Sequence, residues 1–385
     1  MDNLYKDIYN YIFSFLSHKE LINLMLVSKQ FYNFINNLSL PNVDFYTVCE
    51  KGYYLNIRKS DLKTQNLNNA LYFASIGGHK PIINLLILNG ANNWVLAFKG
   101  ACYGGHKSIV DFLYQKIVDD YNKIFNLINK CKNINPVNNL SVEYLISNEL
   151  NLWNKGLFYA SQGGHKEIID YTISKGVKYF NKALYYACRG GNKDIIDYII
   201  SMGANNWDYG LFGACENGNK EIIDYILQKG KCNYNYGLFG ACKSGNKELI
   251  DFMISKGANN WDYGLFCACK NGNKEVVKFM IQINTSEFNW GLYYACKYGH
   301  KDIVDLMISM GANDWNKGLC GASEGGHRNI IEYMISMGAT DFNFAFIFAC
   351  KYGHKEIVEF MITKYTGNLI WGLNHASKRG YKDIV

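Results

Sequence analysis

The fold is decided by the stretch from Asn206 to Lys229, which reads Asn-Trp-Asp-Tyr-Gly-Leu-Phe-Gly-Ala-Cys-Glu-Asn-Gly-Asn-Lys-Glu-Ile-Ile-Asp-Tyr-Ile-Leu-Gln-Lys. Nearly the same sequence recurs every 27 residues along most of the chain. With Ala214 as the marker, its counterparts are Ala160, Ala187, Ala241, Ala268, Ala295, Ala322, Ala349 and Ala376, preceded by the pair Ala74 and Ala101. A fixed period in this range predicts a solenoid, in which each unit buries its apolar face against its neighbours.

Each unit is predicted to contain two short helices. The first passes through the marker and ends at Gly218; because it is too short to be stable alone, packing must hold it. Asn219 is predicted to cap the second helix, whose apolar face carries Ile222, Ile223, Ile226 and Leu227. Histidine takes this cap position at His79, His106, His165, His300, His327 and His354. The second helix is predicted to end at a left-handed glycine, namely Gly203, Gly230, Gly257, Gly311 or Gly338.

The consensus of the repeat is Leu-Phe-x-Ala-Cys-x-x-Gly-(Asn/His)-Lys-Glu-Ile-Ile-Asp-x-x-Ile-x-x-Gly-Ala. This consensus resembles the ankyrin repeat. The family's unit has about 33 residues, so about six are missing where the family has a β-hairpin finger. The histidine of the family's first helix is replaced by phenylalanine, as at Phe158, Phe212, Phe239 and Phe266. The resemblance implies an all-α, ankyrin-like solenoid of helix pairs with short repeats and no fingers. The repeats are similar to those of giant DNA viruses that infect amoebae.

Composition excludes several classes of protein. At 385 residues the usual expectation is two or three domains, but the core of a solenoid grows along one axis. No apolar run is long enough to span a membrane, and the N-terminus has no secretory cleavage pattern, so we expect a cytoplasmic protein, in the host cytosol if it is viral. The net charge of +7 is dilute over this length, and nucleic acid is therefore an improbable partner.

The cysteines are interpreted as small core residues. Seven of the twelve follow the marker alanine directly, at Cys102, Cys188, Cys215, Cys242, Cys269, Cys296 and Cys350. In a stack they would be about 8 to 10 Å apart, which is beyond the reach of a disulfide. No Cys-x-x-Cys occurs, and we expect no metal site and no cofactor.

Residues 1–37 do not follow the repeat. Their apolar spacing predicts three short amphipathic helices, and Ser17 to Glu20 reads as a capping box at the start of the second. The sequence from Asp7 to Phe31 resembles an F-box, although Tyr5 occupies the position where the family has proline. The resemblance implies docking on the adaptor subunit of a cullin-type ubiquitin ligase through Leu4, Ile8, Ile12, Phe13, Leu16, Leu21, Val27 and Phe31. The alternative is a helical cap that shields the first repeat.

The remaining chain divides into a transition and the solenoid. Residues 38–69 are predicted to hold a decayed capping repeat, since Val48 to Gly52 resembles the sequence around the marker alanine. Residues 70–385 are predicted to form the solenoid. The spacing of 59 between Ala101 and Ala160 indicates a middle unit with an insertion near 131–140, which is either a tolerated surface loop or a contact loop. The last repeat is incomplete, so the sequence is truncated there or the unit frays.

Three stripes of side chains follow the period. A basic residue after each cap, from Lys80 to Lys382, is usually followed by glutamate or aspartate, and this stripe is interpreted mostly as a solvated, self-neutralised helix face rather than a binding surface. An aromatic stripe seven residues before the marker, from Trp153 to Phe342, is either a core ladder or a ligand-stacking surface. With the fingers cut short, the expected exposed target-binding surface lies two or three residues past the marker. It comprises Arg189, Lys243, Lys270, Lys297, Tyr298, Lys351 and Tyr352. The alternative for this stripe is a plain solvated face.

These patterns predict a recognition protein rather than an enzyme. The six cap histidines have a structural explanation, and no phosphate loop or catalytic triad order occurs. We expect a monomeric substrate receptor that links an unidentified target protein, with an acidic surface, to a ubiquitin ligase. The alternatives are a scaffold or sequestering protein whose N-terminal helices act only as a cap and, less favoured, a nucleic-acid-binding protein.

Overall fold

The computed structural model describes residues 44–52, 57, 60–130, 140–364, 369–378, 381 and 384, with the backbone alone at 121, 124–130, 140–148, 284 and 378. The predicted N-terminal module of residues 1–37 therefore lies outside the described residues, as does most of the predicted insertion. The chain divides into two compact units, Met1–Asn206 and Trp207–Val385. This division within the solenoid was not anticipated from the sequence.

The described part of the first unit contains ten helices. They are α1 (Phe45–Lys51), α2 (Asp61–Thr64), α3 (Leu67–Gly77), α4 (Lys80–Leu88), α5 (Trp94–Gly104), α6 (Lys107–Lys130), α7 (Leu140–Gly163), α8 (Lys166–Ser174), α9 (Phe180–Gly190) and α10 (Lys193–Ser201). The odd-numbered helices α1, α3, α5, α7 and α9 pack side by side in that order. Helix α1 coincides with the predicted decayed repeat, and its Val48 and Cys49 are buried.

The described part of the second unit contains thirteen helices. They are α11 (Trp207–Asn217), α12 (Lys220–Lys229), α13 (Tyr234–Ser244), α14 (Lys247–Ser255), α15 (Trp261–Asn271), α16 (Lys274–Asn284), α17 (Phe288–Tyr298), α18 (Lys301–Ser309), α19 (Trp315–Gly325), α20 (Arg328–Ser336), α21 (Phe342–Tyr352), α22 (Lys355–Ile362) and α23 (Ile370–Lys378). Here too each first helix packs on the first helix of the next repeat. The described residues contain no strand, so the all-α helix-pair fold without fingers is confirmed.

The core of each repeat is built around the marker alanine. All eleven marker alanines are fully buried, and so is the leucine or phenylalanine three residues before ten of them. The small marker lets neighbouring first helices approach closely, while the leucine fills the space beside it. Because Leu238 is fully buried, its replacement by alanine would cost about 2 to 5 kcal/mol.

The loops between repeats are held by an asparagine or aspartate on the second residue of the first helix. The side-chain oxygen of Asn235 accepts the backbone N–H groups of Asn259 at 2.8 Å and Asn260 at 2.9 Å, in the loop before the next repeat. Equivalent bonds are made by Asn68, Asn181, Asp208, Asp262, Asn289 and Asn316. These side chains satisfy loop donors that would otherwise lack a partner.

The middle unit differs from the prediction of separate short helices. Helices α6 and α7 are each continuous over 24 residues. The physical reason is the loss of the stop signal: Ile117 and Glu149 stand where other repeats have the left-handed glycine between helices. Without that glycine the second helix of one unit runs into the first helix of the next.

One predicted helix end needs correction. Gly203, Gly257, Gly311 and Gly338 have positive φ as predicted, but Gly230 is extended at φ 179°. Helix α12 reaches Lys229, and the chain then passes close to the indole of Trp207, which leaves no space for a side chain at Gly230.

The histidines occupy the predicted N-cap position, but their side chains do not cap the helix. Asn192, Asn219, Asn246 and Asn273 accept a backbone N–H of their own helix, as predicted. At His79, His165, His300, His327 and His354 the side chain makes no such bond. Instead, Nε2 of His79 and of His354 contacts a backbone carbonyl oxygen about one repeat earlier. The imidazole is too long to fold back on its own helix but long enough to reach the neighbouring repeat.

Candidate binding surface

The predicted target-binding residues lie at the C-terminal ends of first helices. Arg189 belongs to the first unit, and Lys243, Lys270, Lys297, Tyr298, Lys351 and Tyr352 belong to the second. Of these seven residues, Lys270 and Tyr298 are exposed and the other five are half-buried. Their role in binding a target stays a prediction.

Two of these lysines are held by buried carboxylates. Lys243 Nζ lies 2.7 Å from Glu216, and Lys297 Nζ lies 2.6 Å from Glu324, where each pair joins equivalent positions of neighbouring first helices. Both lysines were expected on the exposed surface; their side chains are 26% and 25% exposed, and the adjacent carboxylates neutralise their charges.

The electrostatics of Glu324 follow from its partners. Burial opposes the charged carboxylate, but hydrogen bonds from Lys297, Tyr293 and Tyr352 outweigh it and lower the pKa of Glu324. Conversely, burial and the hydrogen bond to Glu324 raise the pKa of Tyr293. This carboxylate therefore stays ionised within a packed surface.

A groove of about 630 Å³ opens on the first-helix face of the second unit. Its walls are mainly aromatic, and two of the predicted lysines line it. The lining residues are Tyr209, Phe212, Tyr236, Phe239, Lys243, Asn260, Tyr263, Phe266, Cys267, Lys270 and Tyr294.

Tyr209, Tyr236 and Tyr263 of the groove belong to a set of side chains that lies five residues before each marker of the second unit. We call this set the aromatic column; it comprises Tyr209, Tyr236, Tyr263, Trp290, Phe344 and Trp371, with Lys317 replacing an aromatic ring between Trp290 and Phe344. Tyr263 is 49% exposed and Trp290 is 40% exposed. This column was not among the predicted surfaces, because the aromatic stripe two residues earlier recurs with the same spacing of 27 residues and is equally prominent in the sequence.

The stripe that the sequence singled out serves packing. From Phe180 to Phe342 its members begin the first helices and are half-buried, and Trp153 is fully buried among Phe98, Tyr114 and Tyr171. The structure therefore favours the core-ladder interpretation of this stripe.

Rings of the column interleave with a second set three residues further on. The ring centroid of Phe239 lies 5.8 Å from Tyr236 and 4.3 Å from Tyr263, and Phe266 lies 6.2 Å from Tyr263 and 6.5 Å from Trp290. These separations are typical of favourable aromatic pairs. The groove is therefore a continuous aromatic surface rather than a series of isolated rings.

Charge at the groove comes chiefly from Lys270. Burial works against its ammonium group, but the hydrogen bond to Tyr298 favours it, and the pKa of Lys270 is raised above the ordinary value. Burial raises the pKa of the neighbouring Cys267 thiol to about 12. The lysine is thus cationic and the thiol is protonated at neutral pH, which makes Cys267 a poor nucleophile.

The cations of the second helices pack on aromatic rings of the next repeat, a contact that was not predicted from the sequence. Lys166 Nζ lies 4.2 Å from the ring centroid of Tyr198, and Lys301 Nζ lies 3.7 Å from that of Tyr333. Both lysines also pair with the acid four residues further on, as predicted. A spacing of 32 residues between lysine and ring could have revealed these cation–π contacts.

Within the described residues, no group of histidine, cysteine, aspartate and glutamate is placed to hold a metal ion. None of the described helices has the length and apolar character to cross a membrane. The predicted adaptor-binding residues, from Leu4 to Phe31, lie outside the described part of the chain.

Comparison with known proteins identifies both parts of the chain. A family model for ankyrin repeats, three copies long, matches residues 157–237 and again 238–318, and a model for the F-box domain matches residues 1–42. Among solved structures, the crystal structure of the human ASB11 ankyrin repeat domain covers 48% of this chain and 98% of its own, at 20% identity and a TM-score of 0.32. No curated protein sequence matches. The chain thus contains ankyrin repeats and, at its N-terminus, an F-box domain.

Proposed function

We propose that this protein is a substrate receptor of a cullin-type ubiquitin ligase. In this proposal the F-box domain of residues 1–42 binds the Skp1-type adaptor subunit, and the ankyrin repeats hold the target protein. The observation that carries the proposal is the presence, in one chain, of an F-box domain and an open aromatic groove on repeat helices. Ubiquitin transfer itself would be performed by other subunits of the ligase.

The adaptor contact would be made by apolar side chains of the F-box segment, among them Ile12 and Leu16. An aspartate at either position would place a charge in an apolar interface, where burial without a partner is costly. We place this activity in the cytosol, and the resemblance to repeats of amoeba-infecting viruses makes a host protein the proposed target.

Co-purification of the full chain with a Skp1-type adaptor tests this function. The wild-type chain should retain the adaptor, whereas Ile12→Asp and Leu16→Asp should release it. Tyr263→Ala, in the groove, serves as the matched control and should retain it. Adaptor binding that survives both aspartate variants, or that never occurs with the wild-type chain, would reject the proposal and favour a scaffold whose N-terminal helices only cap the stack.

A further inference from the structure

We infer that the aromatic groove of the second unit recognises an extended, proline-rich segment with acidic residues. The inference names the recognition element of the target and in that sense rests on the proposed function. Its physical basis is the spacing of the aromatic column, the position of Lys270 and the carboxylates beneath the surface.

The spacing of the column matches one peptide conformation. Neighbouring packed helices are about 8 to 10 Å apart, which sets the average interval between rings of the column, although the rings of Tyr209 and Tyr236 lean together to 6.3 Å. A polyproline II helix has three residues per turn and rises about 9 Å per turn. A peptide of this kind laid across the first helices would therefore place every third side chain between successive rings, such as Tyr236, Tyr263 and Trp290.

The chemistry of the walls suits proline as well. Tyr263 is 49% exposed and Trp290 is 40% exposed, and their neighbours Phe239 and Phe266 hold them in place by ring contacts. Aromatic-lined grooves recognise proline-rich segments because such segments are already extended and lose little conformational entropy on binding. The rings of the protein are already held by packing, so they too lose little conformational entropy when a peptide binds.

The charge of the groove selects acidic residues on the peptide. Lys270 is exposed at the groove. Lys317 Nζ, beyond the groove on the column, lies 4.8 Å from the ring centroid of Trp290 and 3.6 Å from Asp314, so the uncompensated positive charge is mainly that of Lys270. Carboxylates on a bound peptide would complement this charge, whereas lysines would be repelled.

The same surface is poorly suited to nucleic acid. Stacked bases would also fit exposed aromatic rings, but a phosphate backbone needs a run of uncompensated cations. Here Glu216 and Glu324 are buried beside Lys243 and Lys297 and neutralise both. The balance of charge therefore favours a peptide.

Fluorescence anisotropy with the full chain tests this inference. The probe is a labelled peptide of four Pro-Pro-Glu repeats; the comparison peptides are four Pro-Pro-Lys repeats, which keep the conformation, and four Gly-Ser-Glu repeats, which keep the charge. We expect the Pro-Pro-Glu peptide to bind at least about tenfold more tightly than either. Tighter binding of an oligothymidylate, or equal binding of the three peptides, would overturn the inference.

Variants locate the site and separate this inference from the proposed function. Tyr263→Ala and Trp290→Ala should weaken binding of the Pro-Pro-Glu peptide about tenfold. Lys270→Glu should shift the preference towards the Pro-Pro-Lys peptide.

The control Tyr179→Ala, an exposed ring in the first unit, should leave the affinity for the Pro-Pro-Glu peptide unchanged. Ile12→Asp should also bind the peptide normally, so loss of adaptor binding and loss of peptide binding are distinguishable. Unchanged affinity in Tyr263→Ala and Trp290→Ala would overturn the assignment of the groove.

Discussion

The Nε2 atom of His79 lies 2.8 Å from the backbone carbonyl oxygen of Glu50, in the preceding repeat. Because a carbonyl oxygen can only accept a hydrogen bond, this nitrogen carries the proton and donates it. The contact recurs between His106 and Ile76 at 2.9 Å. These histidines therefore join neighbouring repeats, whereas asparagine in the same position caps its own helix.

The repeat histidines predict a stability that declines in mild acid. Burial lowers the pKa of His79, His165 and His327, with a smaller contribution from the charge of neighbouring histidines. The unfolded chain, whose histidines titrate near about 6.5, takes up protons before the folded chain does. Stability should thus fall as the pH is lowered from 7.5 to 5.5, and urea unfolding at each pH measures the loss.

Asparagine offers the matched control for this pH dependence, since it fills the same position in Asn192 and Asn219. A variant that combines His79→Asn, His165→Asn and His327→Asn should keep the fold and lose less stability between pH 7.5 and 5.5 than the wild-type chain. An equal loss in both proteins would show that other groups cause the pH dependence.

A close approach at Gly299 predicts a position-specific cost of alanine. Gly218 and Gly299 both follow a first helix with positive φ, at 75° and 79°. A Cβ atom at Gly299 would lie 2.6 Å from Cε1 of His327, whereas at Gly218 the nearest atom is 3.8 Å away. Gly218→Ala should cost about 1 to 2 kcal/mol from backbone strain alone. Gly299→Ala should cost at least about 1 kcal/mol more, because the imidazole must also move.

Thermal and urea unfolding of the two variants check this difference. Each variant is compared with the wild-type chain at neutral pH, so that protonation of His327 does not contribute. Similar destabilisation by both alanines would mean that the histidine yields freely and that its contact with the preceding repeat adds little.

The asparagine contacts to the loops predict a large effect from a small side chain. Asn181 Oδ1 accepts the backbone N–H groups of Asn205 at 2.8 Å and Asn206 at 2.9 Å. Asn181→Ala removes both bonds and should lower the free energy of unfolding by about 1 to 3 kcal/mol. In the control Asn205→Ala the backbone donor remains, and the change should stay within about 0.5 kcal/mol. Urea unfolding measures both, and equal effects would contradict a role for the Asn181 side chain in holding the loop.

The helix pairs could be predicted from the sequence because single positions repeat with one periodicity. The buried Ala214, Leu211 and Cys215 recur at every unit or nearly so, and helical geometry then fixes which face is inside. The continuous helices α6 and α7 could also have been predicted from the sequence, since Ile117 and Glu149 replace the glycines that end other helices.

The groove could not be predicted in the same way. Trp261 and Tyr263 recur equally well, but they are two positions apart and so point about 200° away from each other around the helix. Only the rotation of the first helix against its neighbours decides which ring packs and which faces the groove. Likewise, His and Asn look interchangeable before Lys-Glu-Ile, because the distance to the neighbouring carbonyl oxygen is set by the stacking of repeats.

The pair formed by Glu324 and Lys297 predicts that a buried carboxylate contributes more than an exposed one. Glu324 is only 6% exposed and bonds both Lys297 and the Tyr293 hydroxyl. Glu324→Gln keeps the shape but leaves the half-buried ammonium without its counter-charge, so unfolding should become easier by about 1 to 3 kcal/mol. The control Glu332→Gln breaks an exposed pair with Arg328 and should cost less than about 0.5 kcal/mol. Urea titration of both variants decides the matter: equal losses would place the Glu324 pair among ordinary surface ion pairs.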